Sequence, residues 1–173
     1  MTKLLRIGFH ICIMLAVGAF AACSDDDPVV PPVPTPDPNP AGSIGVYADD
    51  AGANRDIVNT GSLVTVYVVH KVAVGTTASA FMVDAPDGWT LVGTTAEFPV
   101  VIGNPDTGID IAYGDCLTGN IHLLTLSYQS PGGSETGTFE IVAPSRRTSI
   151  QVVDCNSTML ISGVGLVTDV LTQ

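Results

Sequence analysis

The sequence is dominated by short segments in which every second residue is apolar, separated by turns that contain glycine and proline. In residues 62–71, for example, Val64, Val66 and Val68 share one face, and the residues between them fall on the other. A period of two is typical of a β-strand that buries one face, because successive side chains point to opposite sides of a sheet. No segment carries a sustained period of 3.6 residues with helix caps. The pattern favours an all-β fold.

The same alternation recurs along most of the chain after residue 42. It places Ile109, Ile111 and Tyr113 on one face of a second segment. Other strand candidates cover residues 43–48, 78–84, 88–93, 98–103, 121–129, 137–143, 149–154 and 158–163. Turn sequences such as "APDG", "GNPDTG" and "APSRR" lie between them. Many short strands joined by turns predict a single antiparallel β-sandwich of the immunoglobulin-like or jelly-roll type, over residues 43–173.

The first 22 residues have the composition of an export signal. Lys3 and Arg6 precede an apolar stretch, residues 7–22, that ends in small residues. Its length is below the ~20 residues that a helix needs to span a bilayer. We predict that residues 1–22 are a cleaved signal peptide that removes Cys12; a retained membrane anchor is the alternative.

The residues around the predicted cleavage point are Phe20, Ala21, Ala22 and Cys23. They resemble the lipobox of bacterial lipoproteins, although phenylalanine departs from the usual first residue. The resemblance implies that Cys23 becomes the first residue of the mature protein and carries lipid on its sulfur and its amine. Several acyl chains would make a durable membrane anchor.

The segment after Cys23 is acidic and then rich in proline. "SDDD" (residues 24–27) is similar to the acidic export signal of some Bacteroidetes-type lipoproteins, which implies display on the outer face of the outer membrane; attachment that faces the periplasm is the alternative. Seven of the thirteen residues 28–40 are proline. Proline favours an extended polyproline II chain. We therefore predict that residues 23–42 form an acylated linker that spaces the domain from the envelope.

The charge of the chain excludes nucleic acid as a partner. The formal net charge is -11, with 17 acidic and 6 basic residues. Removal of Lys3 and Arg6 with the signal peptide leaves 17 acids against 4 bases, or -13. Such a protein repels phosphate backbones.

Cys116 and Cys155 are the only cysteines after residue 42. Both follow an aspartate at the end of a predicted strand, in "AYGDCL" and "QVVDCN". Disulfides form in oxidising, exported settings, and neither cysteine has a second cysteine or histidine at the short spacing of a redox or metal site. We predict a Cys116–Cys155 disulfide that bridges two strand ends.

Candidate metal ligands are few. His70 and His122 have the parity of the apolar residues of their strands, and two histidines without a third ligand are weak evidence for zinc. Two acidic loops have the oxygen-rich spacing of calcium sites, but both also read as ordinary turns; their residues are Asn104, Asp106 and Asp110, and Asp49, Asp50 and Asp56. We predict no metal and no cofactor.

No catalytic motif is evident. The chain contains no G-x-S-x-G, S-x-x-K or H-E-x-x-H, and Ser134 falls in a predicted hairpin tip. A carboxylate pair for glycoside hydrolysis has no fixed spacing, but the domain offers only Glu97, Glu135 and Glu140 as glutamates. We predict a protein that is not an enzyme, with a small hydrolase acting on envelope polysaccharide as the alternative.

Residues 44–155 resemble a family of extracellular modules of secreted bacterial proteins, most specifically in "GNPDTGIDIAYGDCL" (residues 103–117). The strand order is more distantly similar to cohesin-like sandwiches. The resemblance implies a non-catalytic binding or structural module for a protein or a glycan, displayed on the cell envelope. Trp89 and Tyr47 are the candidates for stacking on a glycan, with core packing as the other interpretation. A calcium-stabilised adhesin is a further alternative.

Overall fold

The computed structural model describes residues 42–131, 136–155 and 160–172, without the side chains of residues 72–74. Within these residues the chain forms eleven β-strands and no helix. The strands are β1 (Ser43–Tyr47), β2 (Ile57–Asn59), β3 (Leu63–Asp84), β4 (Thr90–Ala96), β5 (Val100–Asn104), β6 (Gly108–Gln129), β7 (Gly137–Val142), β8 (Gln151–Asp154), β9 (Leu160–Ser162), β10 (Val164–Gly165) and β11 (Val167–Thr172). In this part of the chain no helix has the length and hydropathy to cross a membrane. The predicted signal peptide and Cys23 lie outside the described residues.

The first sheet is built around the antiparallel pair of β3 and β6, each of 22 residues. On the far side of β6, β4 and β5 pair with its two halves. On the far side of β3, β1 pairs with its first half and β8 with its middle, and β9 extends the sheet beyond β8. At one end of this sheet the strands therefore lie side by side in the order β5–β6–β3–β8–β9, and the candidate site lies on these strands.

The second sheet begins where β3 leaves the first. Met82, Val83 and Asp84 pair with β7, which pairs with β11, which in turn pairs with β2. The all-β sandwich predicted from the sequence is confirmed, with one difference. The pairs β1–β10 and β2–β11 are parallel, so the sandwich is not purely antiparallel.

One hydrophobic core joins the inward faces of both sheets. The alternation in the sequence correctly predicted that Val66 and Ile111 share the inward faces of their strands. Both are buried with Leu126 of the first sheet and with Phe139 and Ile141 of the second. Burial of such side chains contributes roughly 1.5–3 kcal/mol each, so the inward faces supply most of the stabilising free energy.

The two long strands were predicted as four separate ones. The sequence between the predicted segments lacks alternation, but the chain stays paired through it by register shifts, such as those at Val72/Thr76 and Thr76/Ala78. Gly75, at φ 111°, lies at this irregular point. Bulges allow a strand to continue while it bends and twists, and a positive φ suits glycine because it has no Cβ.

Candidate functional site

The outer face of the strands β5–β6–β3–β8–β9 carries an apolar row that crosses all five strands. Its members are in register, each paired with the next on the neighbouring strand: Val100, Ala112, Ala78, Val153 and Leu160. Their neighbours along each strand, such as Ile111 and Val152, point into the core. The row is therefore a second apolar surface, separate from the core.

The row forms a groove because its side chains differ in size. The central strands β3 and β6 contribute alanines, Ala78 and Ala112, whereas the flanking strands contribute the larger Val100, Val153 and Leu160. The open space above the alanine floor has a volume of about 260 Å³. We refer to this space and its lining as the groove.

The walls of the groove are apolar side chains that are more than half exposed. Val100, Ile102 and Leu160 expose 53%, 63% and 61% of their surface. Single exposed apolar residues are common, but several around one concave surface mark a binding site. The groove therefore has the character of a docking surface.

A second row, one step along the strands, introduces charge at the rim of the groove. It pairs Ile102 with Asp110, Asp110 with Ala80, and Ala80 with Gln151. Arg147, from the turn after β7, bridges this row: one terminal nitrogen lies 3.0 Å from Asp110 Oδ1 and the other donates to Gln151 Oε1 at 2.6 Å. Arg146 donates a hydrogen bond to Asp110 Oδ2. Two arginines thus share one carboxylate.

Beneath the groove, the core holds a buried polar pair. His70 Nδ1 and Tyr113 Oη are 2.8 Å apart, and the two rings are in edge-to-face contact. Burial raises the pKa of Tyr113 far above its usual value, so the hydroxyl stays protonated. Neither group reaches solvent, which gives the pair a structural role in the core.

His122 does not face the core as its parity predicted. A register shift between Val68 and Val69 places Leu123 in the core, and His122 turns outward to contact the ring of Tyr67. There its Nδ1 lies 3.5 Å from a carboxylate oxygen of Glu97 and its Nε2 3.2 Å from the Thr125 hydroxyl. The bulge reverses the side on which a residue lies, because the side-chain period is two.

His70 and His122 therefore lie on opposite faces of one sheet and do not form a joint metal site. Across the described residues, no three His, Cys, Asp or Glu side chains come together in a way that would hold a metal ion.

Both acidic loops use their side chains to fix turns. Asn104 Oδ1 accepts the backbone N–H of Asp106 at 2.9 Å, while Asp110 pairs with the arginines. In the other loop, the Asp49 carboxylate accepts the backbone N–H groups of Ala53, at 3.1 Å, and of Asn54. The Ala53 hydrogen bond is the main cause that lowers the pKa of Asp49. The turn interpretation accounts for these oxygens, and the loops give no support to calcium.

The two aromatic candidates for a glycan site pack inside the domain. Tyr47 is buried, although Lys71 lies over its ring. Trp89 is partly buried and makes edge-to-face contacts with Tyr128 and Phe139. Core packing is therefore the better-supported interpretation for both, and neither residue lines the groove.

The predicted disulfide is present. Cys116 and Cys155 are joined, with their Cα atoms 5.6 Å apart. Cys116 lies inside β6 and not at a strand end, whereas Cys155 directly follows β8. The bond therefore ties the β8 side of the groove to β6, across β3.

The catalytic alternative gains nothing from the placement of its candidates. Glu97 directly follows β4 and lies beside His122, whereas Glu140 lies on the exposed face of β7 in the second sheet. Ser134 and Glu135 fall outside the described residues. Neither the groove nor the two arginines were predicted from the sequence. The groove joins residues from five strands whose order in the sheet differs from their order in the chain, so no local sequence pattern reveals it.

Comparison with solved structures assigns the fold to the cohesin type. The described sandwich is similar to a cohesin module of a family 33 glycoside hydrolase from Clostridium perfringens (TM-score 0.55, 10% identity, covering 78% of this chain and 98% of that one). It is also similar to the third ScaB cohesin of R. flavefaciens, solved in complex with a group 1 dockerin (TM-score 0.54, 13% identity, 80% and 99% covered). A non-cellulosomal cohesin from Archaeoglobus fulgidus follows (TM-score 0.52, 9% identity, 75% and 90% covered).

The sequence matches no family model, and no curated protein matches it. At these identities the structural likeness establishes a cohesin-like fold and carries no binding residues with it.

Proposed function

We propose that this chain is an envelope lipoprotein whose cohesin-like sandwich is a non-catalytic module that binds a partner protein through the groove. The observation that carries the proposal is the apolar row across β5–β6–β3–β8–β9, with Val100 and Leu160 more than half exposed at its ends. Desolvation of such a surface by a partner is favourable at about 25 cal/mol per Å².

A protein ligand is favoured over a glycan by the chemistry of the surface. Glycan sites use the free faces of aromatic rings, and here Trp89 and Tyr47 are packed in the domain. The groove presents aliphatic side chains instead. The R. flavefaciens cohesin of the same fold was solved with a protein partner, a dockerin, which supports this class of ligand by analogy.

The anchoring part of the proposal depends on the sequence. The small residues before Cys23 and the acidic and proline-rich segment after it fit a lipid-tethered domain on the outer face of the envelope. Protease treatment of intact cells, followed by mass analysis of the N-terminal peptide, tests both features. We expect surface cleavage and an acylated Cys23; an unmodified N-terminus would contradict the lipoprotein assignment.

The binding part is tested by capture with matched variants. Tagged full-length chain, with Leu160→Asp or without it, is used to capture proteins from cells of the species that encodes it. Leu63→Asp is the control, because Leu63 is 58% exposed against 61% for Leu160 but lies outside the groove. A protein captured by the wild type and by Leu63→Asp, and lost with Leu160→Asp, supports the proposal. Equal capture by all three contradicts it.

A further inference from the structure

The rim of the groove carries an unbalanced positive charge in a chain that is otherwise strongly acidic. Arg146 and Arg147 both contact Asp110, so two positive charges face one negative charge. The other two bases of the described domain are engaged elsewhere: Arg55 donates to Thr168, and Lys71 lies over the ring of Tyr47. The groove rim is therefore the one place in the described residues where two basic side chains converge.

The two arginines differ in how fully they are used. Arg147 is 28% exposed and divides its terminal nitrogens between Asp110 and Gln151. Arg146 is 51% exposed and makes a hydrogen bond to Asp110 alone among the described residues. A guanidinium has five N–H donors. Arg146 therefore keeps donors that point to no described group, next to Asp110, which lines the groove together with Arg147.

The distance between the charged rim and the apolar row sets what a ligand must look like. Asp110 and Ala112 lie on the same face of β6, two residues apart, as do Ala78 and Ala80 on β3. Two residues along a strand correspond to about 7 Å. A ligand that fills the alanine floor and meets an arginine at Asp110 needs an aliphatic group and a carboxylate separated by at least about that distance, or two to four residues of a peptide.

We infer that the partner presents an aliphatic side chain to the groove floor and, close to it in sequence, an aspartate or glutamate to Arg146. This inference rests on the proposed function and specifies the chemistry of the partner. Asp110 holds the two arginines in place, and it reduces the local charge from +2 to +1. The acidic remainder of the domain repels an acidic partner elsewhere, so the charge pattern selects this face.

A random 12-residue peptide display library, selected on immobilised full-length chain, tests the inference. The wild type is compared with Ile102→Asp, which places a charge on the groove wall, and with Arg146→Gln. Lys71→Gln is the control, because it removes one positive charge away from the groove. We expect the wild type and Lys71→Gln to enrich peptides that combine Leu, Ile, Val or Met with Asp or Glu two to four residues away. Arg146→Gln should retain the aliphatic residue and lose the acidic one.

One selected peptide then gives the magnitudes. Loss of a charge-assisted hydrogen bond should weaken its binding about tenfold in Arg146→Gln, with little change in Lys71→Gln. Asp110→Asn raises the local charge from +1 to +2 and keeps a side chain of the same shape beside the arginines, so it should strengthen binding of the same peptide.

The outcomes separate the inference from the proposed function. Two results overturn the inference but leave the proposed protein-binding groove intact. In the first, peptide enrichment depends on Ile102 but shows no preference for Asp or Glu. In the second, the preference for Asp or Glu survives Arg146→Gln. No enrichment that depends on Ile102 overturns the proposed function and the inference with it. Binding of a polyuronate oligosaccharide through Arg146, with no peptide enriched, overturns the inference in favour of an acidic glycan.

Discussion

The disulfide should supply a large share of the stability of the domain. Cys116 and Cys155 are 39 residues apart in sequence, and replacement of both by serine opens this loop in the unfolded chain. The chain-entropy relation gives a loss of about 4 kcal/mol for a loop of this length. Domains of this size unfold with about 5–15 kcal/mol, so the variant should remain folded at 25 °C but with a much lower urea midpoint.

Urea unfolding followed by the fluorescence of Trp89 measures this loss. Trp89 is the only tryptophan and packs against Tyr128 and Phe139, so its emission reports the core. Reductant added to the wild type should reproduce the midpoint of the double serine variant, and it should leave that variant unchanged. A free-energy loss below about 1 kcal/mol with an unchanged slope would refute the reasoning, because the bond would then restrict little of the unfolded chain.

The local effect of the same bond is distinct from its global one. It links β6 to the end of β8, and β8 and β9 contribute Val153 and Leu160 to the groove. Replacement of the cysteines by serine should therefore accelerate hydrogen exchange of the backbone amides in β8 and β9. The acceleration should be smaller in β7, which lies in the second sheet.

Three further experiments test other parts of the structure. Gly165→Ala places a Cβ 1.8 Å from a backbone carbonyl oxygen of β7 and should destabilise the domain by about 3 kcal/mol. Gly93→Ala is the control, because its Cβ has no contact under 3.5 Å and should change stability by less than about 0.5 kcal/mol. Thermal unfolding compares the two variants, and equal effects would contradict the packing described. Tyr113→Phe removes the 2.8 Å hydrogen bond between Tyr113 Oη and His70 Nδ1 and should cost about 1–3 kcal/mol in urea unfolding. An unchanged midpoint would show that this hydrogen bond contributes nothing. Hydrogen bonds hold the pKa of Asp49 below 3.8 in the folded state, so the stability contributed by its carboxylate is complete above pH 3.8 and is lost as the pH falls through the folded pKa. Asp49→Ala should therefore be less stable than the wild type at neutral pH and converge with it in acid. A difference in unfolding free energy that stays constant across the pH range would rule this linkage out.

Local pattern was sufficient for the fold class and for much of the core. Alternation in residues 62–71 predicted that Val66 and Val68 share the buried face, and the same reasoning held for Ile109 and Ile111. The turns were also readable: Thr107 N–H bonds to the carbonyl of Asn104 at 3.2 Å, in the "GNPDTG" segment. These features depend on neighbours in sequence, because the strand period and the turn residues act over a few positions.

The same reasoning failed wherever a bulge or a weak pattern intervened. The strands β2, β10 and β11 were not predicted, since they are short or depend on parallel partners distant in sequence. His122 was assigned to the inward face, and the bulge at Leu123 reversed it. A single extra residue in one strand is invisible in the sequence, although it inverts every side chain beyond it.

The sequence by itself determined that the chain forms a disulfide-linked sandwich, since alternation, turns and two isolated cysteines are local signals. Only the tertiary structure decided where that sandwich presents a surface. Val100, Ala112, Ala78, Val153 and Leu160 become one row because five strands, in an order unlike their order in the chain, pair in a particular register. Register between distant strands is fixed by the packing of the whole core, and neither the groove nor the arginines at its rim exist until that packing is complete.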